Sequence, residues 1–284
     1  PADTALAGFL DNVDHGVPYI KDISYIGSMK EFRRRIPWMD DDAAGFGDSY
    51  ADYEKDVIAG NTFDYPSIHG TAILNSGHSF VSCSDESVKD SLIRLEDYAV
   101  VDLILGKECQ TKMGRKGIHP LKYKTFDTTM QKRLTHYLKS GGHLFVSGAF
   151  VGTDLWDSRV APSLQDDKNF AMQVLKYKWR VGQAAKSGKI KCVKSALPTG
   201  TFAGDYTYHN LLNSECYVVE SPDAIEPACA EASTIMRYTE NNLSAAVAYN
   251  GSDYKTVIMA VPFETLRTAK ERNAIMQQIL NFLK

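Results

Sequence analysis

The densest pattern of apolar and polar positions runs over residues 125–154, TFDTTMQKRLTHYLKSGGHLFVSGAFVGTD. Phe126, Met130, Leu134, Tyr137 and Leu138 recur at three- and four-residue spacing, which puts them on one face of a helix. Thr125 or Asp127 can cap its start, and Gly141-Gly142 stops it because glycine accepts a positive φ without a Cβ clash. His143 to Ser147 then reads as a short apolar strand, and Gly148 to Gly152 as a tight turn of small residues. An amphipathic helix feeding a buried strand is the repeating unit of an open, mostly parallel α/β sheet with helices on both faces. In such a sheet ligands gather beyond the carboxyl ends of the strands, so Ser147 to Asp154 is expected on a functional rim.

The same periodicities extend in both directions. Residues 66–75 predict a helix opening on Pro66, residues 79–83 a strand, and residues 87–96 a helix capped by Ser84 or Asp85. Residues 98–105 are the most continuous apolar run, so they predict a central parallel strand buried on both faces. Residues 167–179 predict a helix. In the last third, residues 217–220, 234–238, 244–249 and 256–261 read as short strands with a hairpin signal at Asn250-Gly251, a C-terminal antiparallel extension. Ile275, Met276, Ile279, Leu280 and Leu283 predict a closing helix. Residues 1–64 lack a regular period, apart from a β-prone stretch at 17–26. They are expected to pack as an irregular segment on a single domain spanning 1–284.

Composition narrows the function classes. A chain of 284 residues with 44% hydrophobic and 24% charged residues has the make-up of a globular protein, and its net charge of −3 speaks against nucleic acid as a partner. No apolar run is long enough to span a membrane. Five cysteines show no C-x-x-C spacing, so neither a zinc site nor a cofactor is expected. The start at Pro1-Ala-Asp, with no methionine and no signal peptide, reads as a processed product or an excised module.

Several residues could carry chemistry. Ser147 can serve as a nucleophile, although Phe145-Val-Ser-Gly-Ala149 lacks both glycines of the G-x-S-x-G elbow; a strand-end serine satisfying a turn is the plain alternative. Asp154 can act as an acid or base, or cap the next helix. Cys83 ends a predicted strand ahead of a helix start that would favour a thiolate, unless it is simply buried. His15 beside Asp14 can join Asp40, Asp41 and Asp42 in acid–base work if the N-terminal loops cover the rim. Asp40, Asp41 and Asp42, with Gly45 and Gly47, can also hold a hard cation or form a solvated loop. Residues 176–194 hold seven Lys or Arg and no acid, a face for an anionic glycan or merely a wet surface.

Two places carry a family resemblance over roughly residues 78–284. The turn Val146-Ser-Gly-Ala-Phe-Val-Gly152, and Ile258-Met-Ala-Val-Pro-Phe-Glu264 with its following helix, resemble the class I glutamine amidotransferase-like (flavodoxin-like) fold. No cysteine lies between Cys109 and Cys192 and no histidine follows His209, so the thiol and the base of that family are missing. Glu264 remains as the would-be orienter of the base, and the resemblance implies a module without glutaminase activity. Gly8-Phe-Leu-Asp-Asn-Val-Asp-His-Gly-Val-Pro-Tyr19, Ile36-Pro-Trp-Met-Asp-Asp-Asp42, the stretch from Val57 to Pro66 and Ser79-Phe-Val-Ser-Cys83 resemble modules of bacterial surface proteins that carry the name xanthan lyase. That resemblance implies a secreted, periplasmic or cell-surface location, with further domains of the same multidomain protein as partners. It also implies a role as a carbohydrate- or cell-wall-binding scaffold; the alternative is a hydrolase acting on polysaccharide or peptidoglycan through the rim residues.

Overall fold

A computed structural model describes residues 30–34, 54–59, 65–108, 111–112, 121–122, 124–157, 164–198, 200–211, 219 and 222–284. Within the first 64 residues, β1 (Lys30–Arg34) and β2 (Glu54–Ala59) form an antiparallel pair. Next come α1 (Tyr65–Asn75), α2 (Asp85–Lys89), β3 (Val100–Gly106), the short pair β4 (Thr111–Lys112) and β5 (Leu121–Lys122), α3 (Thr128–Lys139) and β6 (His143–Gly148). After α4 (Thr153–Trp156) and α5 (Gln165–Asn169) come β7 (Tyr177–Val181), β8 (Lys189–Cys192) and β9 (Asp205–Thr207). The chain ends with β10 (Ala224–Pro227), β11 (Ala232–Tyr238), β12 (Ser244–Asn250), β13 (Lys255–Met259) and α6 (Ala269–Leu283).

Seven strands form the main sheet in the order β3-β6-β13-β12-β11-β8-β9, while β7 and β10 pair separately. The ladders β3/β6 and β6/β13 are parallel. The other four, β13/β12, β12/β11, β11/β8 and β8/β9, are antiparallel. The expected open, mostly parallel, flavodoxin-like sheet is therefore corrected to a mixed sheet that is mostly antiparallel. Apolar runs mark burial but not strand direction. Here the turn after Asn250 makes β12 and β13 a hairpin, and each further strand continues the antiparallel sense.

Local signals fare unevenly. For α3 the sequence and the structure agree: the Asp127 carboxylate accepts the Thr129 and Met130 N–H groups at 2.8 and 3.0 Å, and Gly141 ends the helix at φ +90°. Helix α6 opens with a capping box between Thr268 and Glu271. The helix expected over 87–96 stops at Lys89, and Ser91 takes φ +62°. The helix expected over 167–179 is α5 widened into a π-helical stretch, Phe170–Leu175. Lys176 at φ +69° then turns the chain into β7, which carries Trp179. Of residues 217–220, only Val219 lies among those described.

The core lies on both faces of the sheet. One face packs Phe145, Val257, Met259 and Phe263 under Ile275, Met276 and Ile279 of α6. The other packs Leu144, Val146 and Ile258 under Phe126, Met130, Leu134 and Leu138 around α3. Strand β3, expected at the centre, sits instead at the edge, with β6 on one side only, and its first five residues are half-buried. The strand expected over 79–83 is irregular and exposed beside it, so among the described residues β3's outer edge has no strand partner. None of the described helices is long and apolar enough to cross a membrane.

Candidate active site

The free edge of β3 forms the floor of a cleft of about 820 Å³. One wall comes from α1 and residues 78–84, the other from α2 and the start of α3. Most of the lining is apolar, and Phe80 and Tyr98 are partly exposed at its sides. Charge enters it at two levels.

At the floor, α1 points His69 between two carboxylates. Its Nδ1 lies 2.7 Å from Asp102 Oδ2 on β3, and its Nε2 lies 3.2 Å from Glu264 Oε2. Glu264 sits in the short turn Phe263–Thr265 beyond β13. His69 and Glu264 are each 1% exposed, and the ring packs on Phe263 with centroids 4.5 Å apart. With an acceptor at each nitrogen, the ring satisfies both by donating twice, as an imidazolium. Burial alone lowers its pKa, but the Asp102 charge and the hydrogen bonds to Asp102 and Glu264 outweigh it and carry the group to about 9. Asp102 reaches the cleft, and its buried Oδ1 has no hydrogen-bond partner. A histidine occupied at both nitrogens cannot accept a proton.

At the upper end, beyond Gly106, Glu108 turns back so that its N–H donates to the Leu105 carbonyl. Its carboxyl is held well above the usual range, first by burial and then by the charges of Asp85 and Asp154. Asp85, at the start of α2, shifts the other way. Burial works upward on it, but hydrogen bonds with Lys89 and Glu86 prevail and lower it. Glu108 and Asp85 thus line the same cleft with proton affinities shifted in opposite directions, an arrangement suited to pairing a proton donor with an ionised base.

The expected rim is sealed instead of open. Ser147 is fully buried, its Oγ has no hydrogen-bond partner, and it is not among the residues that line the cleft. Asp154 is buried, accepting the Thr125 N–H and Oγ1–H, both at 2.8 Å. The turn between them is clamped by Asp223, which accepts from Gly152 N, Thr153 N and Trp179 Nε1 at 2.7, 2.6 and 3.2 Å, and from the Thr153 hydroxyl. A side chain at Gly152 would strike Trp179 at 2.5 Å, so glycine is needed for this close packing. Cys83 lines the cleft and is largely exposed; partial desolvation of the thiol, then the Asp85 charge, raises its pKa, away from a nucleophilic thiolate. Glu264 does meet a histidine, one drawn from upstream in the chain. His15, Asp40, Asp41 and Asp42 lie outside the described residues; among those described, no cluster of His, Cys, Asp or Glu is arranged for a metal.

Sequence reading left Asp102, Glu108, Asp85 and His69 out of the site. Asp102 had a usable signal: a lone acid within the apolar run Val100-Val-Asp-Leu-Ile-Leu105. A charge there needs a buried partner or an opening.

No family model and no curated protein matches this chain. Among solved structures, it is similar to a cytoplasmic protein of Salmonella typhimurium, STM3548, with a TM-score of 0.51 at 11% identity, covering 90% of this chain and 97% of that one. It also aligns with the β-galactosidase of the Antarctic haloarchaeon Halorubrum lacusprofundi (TM-score 0.47, 13% identity, 78% of this chain and 27% of that one). A third match is the cold-adapted β-galactosidase of Rahnella sp. R3 (TM-score 0.45, 12% identity, 77% of this chain and 26% of that one). The chain thus spans about a quarter of the β-galactosidases it matches. The glutamine amidotransferase-like expectation, and with it the link to modules named xanthan lyase, is corrected here. The sheet lacks the mostly parallel order which that family implies, with four of its six ladders antiparallel.

Proposed function

We propose that this chain is a hydrolase acting on a polysaccharide or on the glycan of peptidoglycan, with Glu108 as proton donor and Asp85 as its ionised partner. The observation that carries the reading is that both carboxyls line one largely apolar cleft, near enough for the Asp85 charge to act on Glu108. Glycosidic cleavage needs such a pair: an acid that protonates the leaving oxygen, and a carboxylate that activates water or attacks the sugar carbon. A raised Glu108 holds its proton to higher pH than an ordinary carboxyl, while a lowered Asp85 gives its proton up sooner. Phe80 and Tyr98 offer rings on which sugar faces can stack, and the apolar walls exclude water from the reacting bond.

The test is release of reducing ends from a panel of polysaccharides and peptidoglycan fragments. Glu108→Gln should lower turnover about 10²- to 10⁴-fold, with a smaller loss on substrates whose leaving group needs no proton. Asp85→Asn should lower turnover whatever the leaving group. Absence of turnover across the panel, or full activity in both variants, overturns the reading. A second reading, glycan binding without cleavage, is favoured by the apolar lining; binding without turnover, unchanged in Glu108→Gln, would establish it.

A further inference from the structure

A second concavity, of about 450 Å³, opens between the end of β10, the strand β11 and the residues that follow β8. It belongs to the antiparallel half of the sheet and shares no lining residue with the cleft. Lys194 and Arg237 face it, together with the hydroxyls of Ser195, Ser233 and Thr234. We propose that this groove binds the oxyanion group of an acidic saccharide, with Arg237 and Lys194 as its cationic contacts.

The electrostatic case is one of unmatched charge. Glu226 is the acid among the lining residues, but Lys178 and Arg180 already stand 3.5 and 3.6 Å from its carboxylate. Among the described residues no carboxylate lies within ion-pair distance of Lys194 or Arg237. Across the β11/β8 ladder Arg237 faces Lys191, whose own neighbour across β8/β9 is Asp205, so the cross-strand acid serves Lys191 and not Arg237. A concave site focuses such a field on whatever enters it.

The hydrogen-bonding case points the same way. Arg237 donates one N–H to the Asn242 carbonyl at 2.7 Å, which fixes the guanidinium plane and leaves donors for a planar oxyanion. The Ser195 hydroxyl accepts the Leu197 N–H at 3.3 Å and keeps its own proton to donate. Two cations beside several hydroxyls suit a ligand with one acidic group and neighbouring alcohols, and the volume suits one or two sugar rings. Of the seven cations of residues 176–194, Lys178 and Arg180 neutralise Glu226 and Lys194 joins Arg237 at the groove.

The whole chain would be titrated calorimetrically with oligomers of glucuronic acid, oligomers of glucose, and inorganic phosphate. The acidic oligomer should bind at least tenfold more tightly than the neutral one, and more weakly as salt is raised. Arg237→Gln should weaken it by about 10- to 100-fold, and Lys194→Gln, at an exposed position, by less, with thermal melting unchanged. Glu108→Gln should leave this binding intact, which separates the groove from the cleft and its proposed hydrolysis. Equal affinity for the neutral oligomer, no effect of either groove variant, or no binding at all overturns the proposal. Binding of phosphate without either oligomer overturns the saccharide assignment.

Discussion

The two edges of the main sheet are guarded in opposite ways. At β9 the edge is three residues long, Tyr206 alone of the three is buried, and α6 covers it: Glu271 accepts the Thr207 N–H at 2.7 Å. Lys189 and Lys191 on the neighbouring β8 add charge against pairing with another chain. At β3 the edge is seven residues long and apolar, and its one charge, Asp102, points at His69. An inward charge can by itself discourage edge pairing, and that is the plain structural account of Asp102. It does not explain why His69 and Glu264 are buried with it. Replacing a buried ion cluster by packed apolar residues is often neutral or stabilising, so its presence points to a use beyond holding the fold. Where an edge has only to be kept inert, a short strand and a covering helix suffice.

The sharpest way to break this contrast is at the floor of the cleft. His69→Ala leaves Asp102 and Glu264 facing each other without their cation and should cost about 3–5 kcal/mol, read as a fall in urea midpoint. A loss under 1 kcal/mol would mean that the imidazole bridges little.

Next in size is pH. His69 rises from 6.5 unfolded to about 9 folded. The folded state therefore holds more protons across that window, and stability should fall as pH rises. The contribution is fully present below about pH 6.5 and lost through about pH 9, and amounts to about 3 kcal/mol. Unfolding free energies at closely spaced pH values should show this step in the parent chain and not in His69→Ala. Asp223, raised by burial from 3.8 to about 6 despite four donors, acts with the same sign in a lower window. The two steps can thus be told apart.

Asp223 also tests the seam between the halves, because the Tyr238 hydroxyl of β11 donates to its carbonyl at 2.6 Å. Asp223→Ala orphans the donors of Gly152, Thr153 and Trp179 and should cost about 1–3 kcal/mol, with faster amide exchange at Gly152 and Thr153. Exchange confined to residues near Tyr238 would place the strain in the antiparallel half instead. The smallest effect is expected at the guarded edge. Thr268→Ala removes the capping box of α6 and should cost about 1 kcal/mol while leaving exchange along β3 unchanged.

Much of the fold was legible wherever one segment carries its own instruction. The face of α3, its Asp127 cap, the Gly141 stop and the hairpin after Asn250 depend on contacts a few residues apart, and each shows in spacing or turn chemistry. The site was far less legible. His69 and Glu264 are 195 residues apart and His69 and Asp102 are 33 apart, so nothing local marks them as neighbours. The rim around Ser147 looked open because a turn of small residues resembles a ligand loop; Asp223, 70 residues beyond Thr153, closes it. Nor did the run 98–105 reveal its place in the sheet, since the single charge of Asp102 is its one edge signal and the rest reads as a buried strand.

By itself, the sequence determined α3, α6, β6 and the β12–β13 hairpin and the faces they bury, because periodicity, capping and glycine act over one or two turns. Tertiary structure alone decided the strand order, the exposure of β3's edge and the meeting of Glu108 with Asp85 and of His69 with its two carboxylates. Those outcomes depend on which surfaces are withdrawn from water together, and burial between distant segments leaves no trace in their spacing along the chain.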